Sequence, residues 1–360
     1  HSSTHAAGVV ISKGPLTDLV PLSCNEDAVV VQFAKKNVER IGLLKFDFLG
    51  LRTLTVMRDT MDMVRRNHGV SVDLDRIPMD DPEVFRMIGQ GDTEAVFQME
   101  SRGMTAFMKE LHPQSLEDLI AGIALFRPGP MEYIPRYVAA RHDPRNIHYD
   151  HPLLEPILQV TYGCLVYQEQ VMEAVRELAG FSLGQADLVR RAMSGKKPEE
   201  LARYRNLFIH GGTDEKGVHV DGALARGVPL PVAQKVFEDI MAFAGYAFNK
   251  SHAAAYGIVA YQTGWLRRQY PVEFMAANLN SFLGNLDQAA RYVSVCRRMK
   301  IPILPPDINR SDVRFTAGPD GIRFALAAVK NVGEGAIRQV IEERTQRGPF
   351  LGFGDFLRRM

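Results

Sequence analysis

Between Gly8 and Gly50 the apolar residues fall in short β-rich runs: Gly8 to Ser12, Leu19 to Leu22, Val29 to Phe33 and Leu43 to Leu49. Lys13-Gly14-Pro15 and Asn25 to Asp27 supply turn chemistry between them, so the pattern predicts a small sheet. From Thr53 the apolar positions recur at helical spacing and continue so as far as Arg298, predicting a mainly helical middle. Ser182 is placed to cap a helix from Leu183 to Met193 that Gly195 stops. Pro198 opens the next, with Glu199 and Glu200 in its first turn. Another long helix is predicted from about Ser251 to Gln269; Pro271 ends it and opens one running through Leu283.

After Arg298, Ile301-Pro302-Ile303-Leu304-Pro305-Pro306 is forced extended by its prolines and reads as a linker. Val313 to Thr316 and Ile322 to Leu326 flank Gly-Pro-Asp-Gly, a hairpin signal, and Ala327 to Arg344 returns to helix. A small third unit thus begins near Asn309. The predicted fold class is α+β, predominantly α.

Composition narrows the field. A chain of 360 residues has room for two or three domains, and 46% hydrophobic with 24% charged residues is the balance of a packed globular protein. Lys and Arg number 43 against 42 Asp and Glu, so any polyanion binding must come from local clusters rather than a global field. Cys24, Cys164 and Cys296 are odd in number and far apart, which argues against a disulfide framework or a zinc site and for the reducing cytoplasm. Charges interrupt every apolar run before it reaches the ~20 residues of a membrane span. Neither a signal pattern at His1 nor a tail at Met360 is present, and both ends are expected to be cuts in a longer chain.

The run Leu43 to Leu49 carries the first candidate chemistry. Alternation puts Leu44, Phe46 and Phe48 on one face, expected to be core, and Lys45 with Asp47 on the other. Their Cα atoms are then roughly 6.5 Å apart, a spacing that suits a metal on Asp47 and phosphate oxygens on Lys45 without obliging the two to touch. A solvated sheet face is the alternative. Two dications ~3.5 to 4 Å apart need several carboxylates to hold them, and no Asp-x-Asp lies on any predicted strand, so a complete two-metal site is not expected in this chain.

Local basic clusters supply candidate phosphate contacts. Arg190 and Arg191 near one helix end, with Lys196 and Lys197 in the following turn, form either a phosphate cradle or a cationic helix C-terminus that balances its dipole. Lys250, Ser251 and His252 sit at a helix start, where free N–H groups favour an anion, and Tyr246, Phe248 and Tyr256 nearby can stack on a base or fill core. Phe126-Arg127-Pro128-Gly129-Pro130 is a rigid turn in which Arg127 grips an anion or local carbonyls. His142, His148 and His151 match no tight metal spacing and read as loop residues. Lys330 to Gly335, with Gly333 and Gly335 opening a helix, is either a helix-hairpin-helix pattern whose backbone can meet a phosphate or a plain helical turn.

Several segments together resemble the C-family of bacterial replicative polymerases, the DNA polymerase III α subunits. They are Val31 to Phe33, Lys45 to Arg52, Val96 to Met104, Phe126 to Pro130, Tyr167 to Met172, Ala186 to Glu200, Phe243 to Tyr256 and Pro305 to Asn309, in the family's order. The resemblance implies a partial polymerase-β-like palm sheet over 1–52, helical fingers over 53–308 and, from 309–360, the start of a helix-hairpin-helix and clamp-binding region. It implies template-directed addition of deoxynucleotides to a primer end with two Mg²⁺ ions, Asp47 matching the third palm aspartate. The other two lie on an earlier strand that this chain lacks, so it is expected to be inactive alone. Lys45, Arg102, Arg127, Arg190, Arg191, Lys196, Lys197, Lys250 and His252 become the expected nucleotide contacts, and Lys330, Gly333 and Gly335 the expected DNA contacts. The implied partners are primer-template DNA, deoxynucleoside triphosphates, the sliding clamp and other replicase subunits, with no membrane. Two other readings compete: a non-catalytic DNA-binding module, and a protein-docking surface without nucleic-acid affinity.

Overall fold

The computed structural model describes residues 7–25, 28–195 and 198–360, and the chain forms two compact units, residues 1–55 and 56–360. In the first, β1 (Gly8–Ile11) pairs antiparallel with β4 (Leu44–Asp47), and β2 (Leu22–Asn25) with β3 (Ala28–Val31); α1 (Lys35–Arg40) lies between β3 and β4 in sequence. The expected single sheet is therefore two separate ribbons. Its small core is Val20, Val38 and Leu43, with Val10, Leu16, Leu22 and Val31 packed against them.

The ribbon register reverses the expected faces of β4. Val10 stands opposite Lys45, and both Val10 and Leu43 belong to the buried cluster, so the Leu43, Lys45, Asp47 face is the one turned to the core. Lys45 fits there because its aliphatic stem packs while the ammonium reaches out; its side chain is 15% exposed. Leu44, Phe46 and Phe48, expected inside, are exposed instead, with Phe46 and Phe48 stacked on each other.

The second unit is almost wholly helical. α2 (Arg52–His68), α3 (Pro82–Gly89), α4 (Arg102–Leu111), α5 (Leu116–Leu125) and α6 (Ile134–His142) come first. α7 (Glu155–Leu158), α8 (Gln168–Ala179), α9 (Leu183–Gly195) and α10 (Pro198–His210) follow, then the short β5 (Gly212–Thr213) and β6 (His219–Val220). α11 (Leu230–Ala244), α12 (Lys250–Gln269), α13 (Pro271–Asn280) and α14 (Leu286–Arg298) complete the helical body. The chain closes with β7 (Ile303–Leu304), β8 (Thr316–Gly318), β9 (Gly321–Arg323), α15 (Glu334–Arg347) and α16 (Phe353–Arg359).

The expected punctuation operates locally. Ser182 Oγ accepts from Gln185 N at the start of α9, and Pro198 and Pro271 open α10 and α13. α12 is the spine of the unit. Its small residues Ala253, Gly257 and Ala260 let α5 approach so closely that a Cβ on Gly257 would lie 2.6 Å from Ile120 Cγ1. Three apolar clusters result: one built largely on α8 to α11, one on α3 to α6 with α12, and one joining α2, α13 and α14 to the last sheet.

Two expectations near the C-terminus change. The proline-rich stretch is extended as its chemistry demands, but Ile303–Leu304 is a strand parallel to β9, with Pro302 O accepting Ile322 N at 2.8 Å, not a linker. The helix expected from Ala327 to Arg344 is broken: a short 3-10 turn spans Leu326–Ala328, Asn331 takes a positive φ of 67°, and α15 starts only at Glu334.

Candidate functional site

Three helix starts and one turn converge in the second unit. Tyr167 and Phe248 form a parallel bridge: Gln168 N donates to Phe248 O at 2.8 Å and Phe248 N to Val166 O at 3.2 Å. This ties the start of α8 to the segment entering α12. Asn249 caps α12 by accepting from His252 N at 2.8 Å. Ser115 caps α5, and Glu117 in its first turn meets Lys250 Nζ at 3.3 Å. The Lys250 ammonium also lies 5.2 Å from the centre of the Tyr167 ring.

Arg127 is held in the same network. Its Nε donates to Ala124 O at 2.9 Å, its terminal nitrogen to Tyr246 O, and its guanidinium covers the Phe248 ring at 4.5 Å. Gly129 makes this possible, since its φ of +100° suits glycine and a Cβ there would fall 2.4 Å from the Tyr246 ring. Burial lowers the pKa of the Arg127 guanidinium from its ordinary value. Of the two readings of this residue, the carbonyl-bound one is what the structure contains.

From Phe248 an aromatic row runs along α12. Phe248 to His252 is 5.4 Å, His252 to Tyr256 is 4.2 Å and Tyr256 to Phe97 is 5.1 Å between ring centres. His252 is exposed, with the partly exposed Phe248 and Tyr256 on either side of it. Arg102 begins α4, exposed, and the next residue, Gly103, packs so tightly on Phe126 that a Cβ would approach the ring to 2.5 Å.

The cations are more fully partnered than their sequence neighbours suggested. Arg190 and Arg191 share Asp187, at 2.8 Å and 2.7 Å, and Arg190 also donates to Gln168 Oε1 at 3.3 Å. The hydrogen bond from Arg190, joined by the charge of Arg191 and opposed by partial burial, lowers the Asp187 pKa. At α12 the anion seat is taken by the chain's own Glu169, which accepts from Lys250 N at 3.0 and 3.2 Å and from Asn249 Nδ2 at 2.9 Å. Asp187, Glu117 and Glu169 were missed by the sequence reading. Asp187 lies three and four residues before the arginines, a spacing that signals such pairing; Glu117 and Glu169 are remote and gave no signal. Lys196 and Lys197 lie outside the described residues.

In the first unit Lys45 Nζ pairs directly with Asp47 Oδ1, although their spacing did not oblige it. Among the described residues no group of three His, Cys, Asp or Glu could hold a metal ion. His142 meets Glu110 O, His148 meets Asp150 and His151 accepts from Leu153 N, so these histidines serve separate local contacts. The Gly333 turn borders a cleft of about 780 Å³ that also includes Arg66, Arg314 and Arg338 beside Asp59, Asp62 and Glu334. Lys330, Gly333 and Gly335 are exposed, and a Cβ at either glycine would meet nothing within 4 Å.

The second unit thus gathers Arg127, Arg190, Lys250 and aromatic side chains around the Tyr167–Phe248 bridge, and the first unit carries a Lys-Asp strand. Residues 1–50 match the bacterial DNA polymerase III alpha NTPase domain, 53–216 the bacterial DNA polymerase III alpha subunit finger domain and 300–360 the helix-hairpin-helix motif. The whole chain is 48% identical to DNA polymerase III subunit alpha of Thermus aquaticus, of which it covers 29%. It is 44% identical, over 99% of its length, to that of Pseudomonas aeruginosa, covering 31%, and 40% identical over its whole length to that of Staphylococcus aureus, covering 33%. The chain belongs to the bacterial DNA polymerase III α-subunit family. It spans about three-tenths of the length of these relatives.

Proposed function

We propose that this chain is the part of a template-directed, cytoplasmic DNA polymerase that holds the incoming deoxynucleotide and the DNA backbone. Residues 1–52 form the end of the palm, 53–308 the fingers and 309–360 the start of the helix-hairpin-helix region. The observation that carries the reading is the convergence of Arg127, Arg190, Lys250 and His252 on the Gln168–Phe248 bridge, with the aromatic row of α12 alongside. Lys250 and His252 at the start of α12, with Arg127 in its turn and Arg190 on α9, meet phosphate oxygens, and a partly exposed ring row stacks a base whatever its identity. Glu117 holds the Lys250 ammonium, Asp187 holds Arg190 and Arg191, and Glu169 holds the Lys250 backbone N–H, until a more highly charged phosphate displaces them.

Asp47 pairs with Lys45, and among the described residues no group of three His, Cys, Asp or Glu is placed to hold a metal ion, so no metal-borne step falls to these residues. The intact polymerase would need two Mg²⁺ ions, with Asp47 as one ligand among several, for attack of the primer 3′-hydroxyl on the α-phosphate. Lys330, Gly333 and Gly335 would grip the DNA backbone through an open turn, and the intact protein would meet a sliding clamp and other replicase subunits. Among the described residues no helix is long and apolar enough to cross a membrane.

The test has two parts. Residues 1–360 alone, given primer-template, Mg²⁺ and all four deoxynucleotides, should show no extension while still binding nucleotide at low salt, and Lys250→Glu should weaken that binding. In an intact polymerase Asp47→Asn should abolish turnover. Extension by the isolated chain, or near-normal turnover of the Asp47 variant, would overturn the assignment of Asp47. Salt-dependent DNA binding with no preference for a primer end or a triphosphate would favour a non-catalytic DNA-binding module, the reading that the open Gly333 turn also supports.

A further inference from the structure

A second concavity lies away from the cationic convergence. Between α6, α8 and α11 is a pocket of about 110 Å³ whose floor is Cys164, Leu158, Ala174, Ile240 and Phe243. These side chains are buried in the apolar clusters of the second unit, where interiors are normally filled to crystal-like density. The pocket does not close because its walls are stapled. Thr161 Oγ donates to Cys164 O at 2.6 Å, Gln170 Nε2 donates to Thr161 Oγ at 2.7 Å and to Ile157 O at 3.2 Å, and Gln170 Oε1 accepts from Val166 N and Tyr167 N. Gly163, at a φ of +79°, brings the two wall loops together, its missing Cβ lying 3.0 Å from His148 O.

The mouth is polar and not electrically neutral in its pairing. Asp150 is taken by Lys235 at 2.6 Å and by His148 at 3.3 Å, and Asp239 by Lys235 at 3.0 Å. Arg136, exposed at the mouth on α6, has no carboxylate partner among the described residues. An apolar floor, with the mouth carboxylates Asp150 and Asp239 already bound by Lys235 and the Arg136 guanidinium without a carboxylate partner among the described residues, is the layout of a small-molecule site: apolar walls supply affinity, and the available cation sets orientation. An apolar cavity of about 150 Å³ holds benzene, so this smaller, open-mouthed pocket suits one ring whose substituent stays outside.

We propose that this pocket binds a compact aromatic carboxylic acid, its ring on the Cys164–Ala174–Phe243 floor and its carboxylate on the Arg136 guanidinium. The site is separate from the nucleotide-handling residues, although α8 and α11 lead to Gln168 at one end and to Tyr246 at the other.

The experiment follows 4-fluorobenzoate by fluorine NMR against the 360-residue chain. Saturable binding is expected with a dissociation constant of about 1 mM or tighter, the affinity that so few heavy atoms supply. Neutral 4-fluorobenzamide and the Arg136→Ala variant should each show binding roughly tenfold weaker, the cost of one charged contact, and Ala174→Leu should abolish it by filling the floor. Alkylation of Cys164 by iodoacetamide in a Cys24→Ser chain, mapped by mass, should slow when 4-fluorobenzoate is present; this readout stands even if Ala174→Leu fails to fold. Absence of saturation, binding unchanged in a folded Ala174→Leu chain, equal binding of acid and amide, or no protection of Cys164 would each overturn the proposal.

Discussion

Glu169 offers the sharpest test of how the candidate site is built. Its two carboxylate oxygens share the single Lys250 N–H, and one also accepts from Asn249 Nδ2, at the start of α12 where backbone N–H groups have no helical partner. Glu169→Ala removes a charge-assisted contact worth about 1.5 to 3 kcal/mol and a favourable helix-end charge worth about 0.3 to 1 kcal/mol. These contributions overlap and the group is half-buried, so a net loss of about 2 kcal/mol is expected, with Glu169→Gln losing about half as much because it keeps one acceptor. Urea unfolding followed by far-UV circular dichroism reads the helical unit directly, the midpoint falling while the slope is unchanged. A second arm adds inorganic tripolyphosphate. With the internal carboxylate gone, the Lys250 N–H and the Asn249 side-chain amide are freed for an external anion, with the Lys250 ammonium on the same residue. The variant should therefore be stabilised by tripolyphosphate more than the wild type, in proportion to the logarithm of ligand over dissociation constant. A loss below about 0.5 kcal/mol, the size of an ordinary surface change, together with equal stabilisation of both proteins, would refute the idea that Glu169 occupies the anion seat.

Other consequences are open to direct measurement. The Asp187 pKa is lowered by Arg190 and Arg191, so the stabilisation it contributes is complete above the unfolded value of about 3.9 and is lost as pH falls through the folded value. Asp187→Asn should therefore cost less than about 1 kcal/mol at neutral pH, the pair being partly exposed, and the gap to wild type should shrink below about pH 4; a gap independent of pH would contradict the pairing. At the C-terminal turn, where a Cβ meets open space, Gly333→Ala and Gly335→Ala should leave the thermal midpoint within a few degrees of wild type. In electrophoretic assays at low salt the same variants should bind DNA more weakly, because the added methyl stands where a phosphate would approach. Unchanged DNA binding would remove this turn from the interface.

What the residues determined by themselves was local. Proline at the starts of α10 and α13, Ser182 ahead of α9 and the alternating run into Asp47 act within a few residues of chain, and each produced the element its chemistry demands. The family resemblance, carried by short segments in order, was legible for the same reason: it needs no knowledge of which parts touch. The tertiary structure decided everything that depends on partners distant in sequence. Which face of β4 turns inward depended on β1, thirty-odd residues earlier, and the outcome put the lysine over the core and Phe46 and Phe48 in water. Ile303–Leu304 became a strand only because β9 offered it a ladder. The cations of the candidate site were visible, but the remote carboxylates around them were not: Glu117 reaches the Lys250 ammonium across more than a hundred residues, and Glu169 the Lys250 backbone N–H across eighty-one. Charge is written residue by residue, whereas the pairing that tames a buried or half-buried charge exists only once the helices that carry both partners have packed.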